Sequence, residues 1–150
     1  MADFDLTPPG PLRIGVALGE QLWLDSPGEV ARVRAVDLRA AAHQVAALRE
    51  ERPGVDVLVD IEAVIALNAG AARASFAAAG RVESGSAMLY VGTPAGLAGL
   101  IADIHVLGIA DGAVVVPLLG SDEVDLIWDE VLPDLQTMSP TPIAARCRPA

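Results

Sequence analysis

The residues best placed to do chemistry in this chain are three carboxylates on one short alternating run. Across residues 55–62, Asp56, Asp60 and Glu62 alternate with Val57, Val59 and Ile61. On a strand, that alternation puts the three acids on one face and the aliphatic residues on the other. Asp60 and Glu62 fall at the C-terminal end, where open α/β sheets bind their ligands. Cα atoms two residues apart on a strand are ~6.6 Å apart, close enough for two carboxyls to perturb each other's ionisation. Asp60 and Glu62 are therefore candidates for a general acid/base pair at a cavity mouth. The competing reading is a polar strand face turned to water.

The second candidate is Gly92-Thr93-Pro94. Open backbone N–H groups at a helix N-terminus suit a phosphate, which makes Gly92 and Thr93 the candidate cofactor contacts. Against this, Thr93 can cap the helix itself and Pro94 suits the first helical position. There is also no glycine-rich cradle and no neighbouring Lys or Arg. Asp111-Gly112 reads as a tight turn with Gly112 at positive φ. His43 has no second ligand at i+3 or i+4 and reads as a surface residue, and His105 falls in a last helical turn that favours a cation. Cys147, the only cysteine, allows no internal disulfide and no all-Cys metal site, so no metal centre is expected. Its neighbours Arg146 and Arg148 favour a thiolate. No Ser–His–Asp or G-x-S-x-G pattern supports a hydrolase. Trp128 reads as a core or interface anchor, and Trp23 as the cover of an apolar opening.

These groups need a scaffold. Residues 12–18 read as a first strand and 19–25 as a loop. Ser26-Pro27-Gly28-Glu29 has the form of a capping box, so a long helix is expected from Ser26 to the Pro53-Gly54 stop. A strand at 55–61, an Ala-rich helix at 68–79 and a strand at 87–91 follow. Then come a helix from Thr93, a strand at 113–116 and a helix from Ser121. The last helix carries Val124, Ile127, Trp128, Val131 and Leu135 on one stripe. The order is β-α four times, so the expected fold is α/β, with parallel strands and right-handed crossovers. Four such units are half of an eight-unit barrel, a partial TIM-barrel-like sheet with open edges.

Composition narrows the partners. A chain of 150 residues suits one domain, here 12–138 between a leader at 1–11 and a disordered tail at 139–150. Hydrophobic residues are 53% and aromatics 3%, so the core must be Ala, Val, Leu and Ile. Twenty acidic against ten basic residues give a formal charge of −10, which repels phosphate backbones and anionic lipid alike. No nucleic acid and no membrane partner is expected. The charge-free run 84–102 contains the helix start Thr93-Pro94 in its middle, so it reads as core rather than a spanning helix. The acidic N-terminus lacks the features of a signal peptide, which points to the cytoplasm.

Between residues 89 and 135 four pieces follow in order. They are Tyr90-Val91-Gly92-Thr93-Pro94, the apolar stripe Leu97 to Ile104, Gly108-Ile109-Ala110-Asp111-Gly112, and Val131-Leu132-Pro133-Asp134-Leu135. Their order and spacing resemble the C-terminal end of luciferase-like flavin-dependent monooxygenases, and residues 55–79 are similar to that family's preceding strand–helix pair. Members build a complete (β/α)₈ barrel from about twice this length. The resemblance therefore implies part of such a barrel, an oxidoreductase using FMN or a related deazaflavin, and a second copy or partner chain that supplies the rest. The alternative is a non-catalytic remnant or assembly module that keeps the fold without flavin.

Overall fold

The computed structural model describes residues 10–138. The tail expected at 139–150, with Cys147, and almost all of the leader expected at 1–11 lie outside the described residues. Six strands and the helices between them form one mixed sheet with its connections.

Strands β1 (Arg13–Leu18) and β2 (Gln21–Leu24) form an antiparallel hairpin. Its two-residue turn begins at Gly19, whose φ of 64° only glycine adopts without strain. Strand β3 (Val30–Val33) leads to helix α1 (Leu38–Glu51), and β4 (Asp56–Ile65) to α2 (Ala69–Ala79). Strand β5 (Met88–Gly92) leads to α3 (Pro94–Val106), and β6 (Gly112–Pro117) to α4 (Ser121–Leu126). A π turn, Ile127–Val131, joins α4 to α5 (Leu132–Met138). Pro133 accounts for the widened turn. Its ring would strike the carbonyl of Asp129 in an unbroken α-helix, and the wider turn moves that carbonyl away.

Local signals place most helix starts. Asn68 and Thr93 each accept a hydrogen bond from a backbone N–H three residues on, at 2.8 and 3.1 Å. The expectation of a helix from Ser26 is wrong. Residues 26–29 are irregular with bends at Ser26 and Gly28, Val30–Val33 is a strand, and Asp37 is the true cap, accepting from Ala40 N–H at 2.8 Å. The cause is a non-local partner. Val30, Ala31, Arg32 and Val33 pair in register with residues 56–59, which puts Ala31 and Val33 in the core and Arg32 on the opposite face. The expected loop at 19–25 is likewise the return strand of the hairpin. Gly112 is not at positive φ either; a Cβ there would strike the carbonyl oxygen of Arg13 on the adjacent strand.

The sheet runs β2-β1-β6-β4-β3, and β5 also pairs with β4. All pairings except β1–β2 are parallel. One edge of β4 carries β6, and the other carries β3 along residues 56–59 and β5 along 61–65. The α/β class and the parallel strands agree with expectation. The strand order does not follow that of a (β/α)₈ barrel, in which each strand lies beside the one before it. Here β5 and β6 flank β4 on opposite sides, and the hairpin strand β2 breaks the parallel run.

The core lies on one face. Val57, Val59, Ile61, Ala63 and Ile65 of β4 join Ile14, Val16, Ala113 and Val115 beneath α1, α3 and the α4–α5 helix. Burying each valine or isoleucine among them contributes about 1.5–3 kcal/mol. No residue of α2 belongs to that cluster, although Ala72 is fully buried. Helix α2 therefore covers the second face, with the buried Leu58, Val64 and Val114. A right-handed crossover requires this, because the chain reverses direction across the sheet between β4 and β5. No described helix is long and apolar enough to cross a membrane.

Candidate functional site

Asp60 and Glu62 lie on the second face of β4, 1% and 5% exposed. The Arg32 guanidinium donates to both Asp60 oxygens, Nε to Oδ1 and Nη2 to Oδ2, each at 2.9 Å. Arg34 reaches the Oδ2 of Asp60 at 3.7 Å and the Oε2 of Glu62 at 3.4 Å. The other Glu62 oxygen accepts from Ser84 N–H at 2.8 Å. Every oxygen of the pair is thus engaged, and burial beside two guanidiniums matches a structural ion-pair cluster better than a base open to substrate. Position explains the arrangement. β3 pairs with β4 as far as Val59 and the pairing with β5 begins at Ile61, so Asp60 lies opposite the break between the two short strands. The Arg34 Nη2 also donates to the hydroxyls of Ser84 and Ser86, ahead of β5, and so closes that break.

The ladder continues toward β1. Buried Arg13 donates to Asp56 at 2.6 Å and to the carbonyl of Ser26 at 2.8 Å. Its Nε has no hydrogen-bond partner and lies 3.5 Å from Asp25. Burial pushes the Asp25 carboxyl above its ordinary range, against the N–H of Ile14 and the charge of Arg13.

Gly92 and Thr93 stand at the start of α3, but Tyr90 closes that helix end. Its hydroxyl donates to the carbonyl of Thr93 at 2.9 Å, and the ring fills the space that side chains at Gly92 and Gly96 would take. A Cβ on Gly92 would come within 2.5 Å of the Tyr90 hydroxyl. Thr93 caps Gly96, and residues 84–102 around the turn contain no Lys or Arg. These glycines admit an internal tyrosine ring, so the helix end does not fit a flavin phosphate. Nor do the two candidate pairs meet. Tyr90 is in register with Ala63 on the core face, whereas Asp60 and Glu62 project from the other.

The topology creates a different site. Strands β4 and β6 are neighbours, but α2 leaves β4 toward the second face and α4 leaves β6 toward the core face. Such a switch point opens a crevice at the C-terminal strand ends, where α/β sheets bind ligands. A crevice of about 680 Å³ lies there, within the size range of small-molecule pockets. Ile65, Leu67 and Asn68 line one wall, and Leu119, Asp122, Asp125 and Leu126 the other. Buried Glu123 ties the walls together, its oxygens accepting from Ile65 N–H at 2.8 Å and Leu119 N–H at 2.6 Å. Burial raises the Glu123 carboxyl above its ordinary value of 4.5, against those two donors. No Lys, Arg or His is among the described residues that line the crevice, so it too does not fit a flavin phosphate.

Sequence reasoning missed this site. A helix opening with Ser121-Asp122-Glu123 just after a strand was its local signal, but its other wall follows a strand more than fifty residues earlier. His43 is exposed, as expected. His105 is buried, with Nε2 2.6 Å from the carbonyl of Gly10, so it anchors the chain before β1 rather than serving the dipole in solvent. Trp128 belongs to the core and meets Trp23 at a centroid distance of 5.2 Å. Among the described residues no group of three or more His, Cys, Asp or Glu is placed to hold a metal ion. No model of a known protein family and no curated protein matches the chain.

Proposed function

We propose that this chain is a non-catalytic binding module that holds a small molecule in the crevice between the ends of β4 and β6. The observation that carries this reading is the crevice itself, opened where α2 and α4 depart to opposite faces. The engagement of Asp60 and Glu62 by Arg32, Arg34 and Ser84 supports the absence of acid/base chemistry there.

A second reading rests on residues 89–135, whose motif order resembles the luciferase-like monooxygenases. On that reading the four units β3-α1, β4-α2, β5-α3 and β6-α4 are part of a barrel. A partner chain or a second copy supplies the flavin phosphate site that Gly92 and Thr93 do not. Titration with FMN separates the two. The binding-module reading expects colourless protein and no change in melting temperature at millimolar FMN. A saturable rise overturns it, because a ligand at one hundred times its Kd adds about 2.7 kcal/mol to stability.

A further inference from the structure

We infer that two copies of this chain pair through the free edge of β2, antiparallel and centred on Trp23, to make one continuous sheet. The inference stands apart from the crevice and from the binding-module reading. Strand β2 ends the sheet, and no described strand pairs with its outer edge. Asp25 N–H donates to the Ile14 carbonyl at 3.0 Å. Bonded and non-bonded pairs alternate along an antiparallel ladder, so Trp23 and Gln21 also turn their backbone groups to β1. Leu22 and Leu24 therefore turn theirs outward, where no described group pairs with them.

That edge lacks the devices that keep sheet edges apart. Gln21-Leu22-Trp23-Leu24 has no charge and no proline. At the far side of the sheet, β3 carries Arg32, and β5 lies between α2 and α3. Helix α2 packs on β4 and β5, which leaves the second face of the hairpin to its own leucines. Leu22 is 36% exposed there, and the side chain of Leu24 lies over Gly15 beside Val114.

Charge selects the register. A formal charge of −10 sets copies against each other, so contact needs a stretch where no carboxylate meets another. With the two Trp23 residues opposite each other, Leu22 and Leu24 of one copy exchange N–H···O bonds with Leu24 and Leu22 of the other. Gln21 then faces Asp25, and Glu20 faces Ser26. Centring on Leu24 would set Trp23 against the buried Asp25, and centring on Leu22 would set Leu24 against Glu20. The favoured register gathers the leucines on one face and the Trp23 rings, each already against Trp128, on the other. An edge of four residues buries less than the ~1,600 Å² of a standard interface, so a Kd of about 10 μM is expected.

Sedimentation velocity on the full chain from about 1 to about 500 μM tests this, with amide hydrogen exchange followed over the same range. The mass is expected to rise from 15.4 kDa toward twice that value. Protection of the Leu22 and Leu24 amides should rise with it by about tenfold, while Gln21 and Trp23, bonded to β1, stay protected throughout. Leu22→Lys should keep the chain monomeric over the whole range with the β4 amides as protected as before. Val106→Lys adds the same charge at an exposed position of α3 and should leave the dimer intact. A chain that stays monomeric at the highest concentration overturns the inference. So does a dimer whose Leu22 and Leu24 amides exchange independently of concentration, or one that Val106→Lys breaks and Leu22→Lys does not.

Discussion

Two groups of acids in this molecule lie within one strand's length of each other and have opposite surroundings. Asp60 and Glu62, in the middle of β4, are matched by Arg32 on the neighbouring strand β3 and by Arg34 just after it. Asp122, Glu123 and Asp125, beyond the end of β6, face a crevice lined by no described cation. The first group faces the flank of the sheet, where Arg32, opposite Leu58, and Arg34, just past the end of β3, reach forward to the acids. The second lies at the strand ends, where pairing stops. The acids of the first group close a gap between strands through arginines, and Glu123 in the second joins two strand ends through backbone N–H groups. Residue type alone therefore does not mark a site, and the strand pairing around it does.

The largest test of the contrast is Arg32→Met. It leaves the Asp60 carboxylate buried with only Arg34 nearby, and should cost about 3 kcal/mol of stability in urea unfolding. Glu123→Ala comes next, at about 2 kcal/mol, because the N–H groups of Ile65 and Leu119 lose their acceptor. A loss near zero would mean that the walls of the crevice are held by other contacts.

Acid pH sharpens the same comparison. Asp25 and Glu123 titrate above their unfolded values of 3.8 and 4.5 in the folded protein. The folded state therefore binds protons more readily. The contribution of these two groups is fully present below the unfolded values and is lost as pH rises through the raised folded ones. Relative to Glu123→Gln, the parent protein should gain urea resistance as pH falls from 7 toward 4.5. A difference independent of pH would show the carboxyl at its ordinary value. The smallest expected effect is that of Asp122→Asn, within about 0.5 kcal/mol of the parent in stability, since the side chain is exposed.

What could be read in advance divides along the same line. Helices α2 and α3 were legible because Asn68, Thr93 and Pro94 act on their own next turn. The last helix was legible from its stripe, though not the π turn that Pro133 imposes. Strand β3 was misread because Ser26-Pro27-Gly28-Glu29 imitates a helix start. What makes Val30–Val33 a strand is Asp60 and the backbone of β4, some thirty residues away. The hairpin was missed because a strand as short as Gln21–Leu24 gives little alternation to detect. The crevice could not be read at all, because no local pattern states that β6 lies beside β4 rather than beside β5.

Strand β4 has one further consequence. Its aliphatic and acidic residues alternate, and its acids are clamped at fixed heights by Arg32 and Arg34. A slip of one residue would drive Asp60 and Glu62 into the aliphatic layer, and a slip of two would move Arg32 from its place opposite Leu58, from which its side chain reaches Asp60. The arginine rungs thus act as a ruler. They fix how far β4 projects beyond its neighbours, and so where Ile65 meets Glu123 and how wide the mouth between α2 and α4 stands.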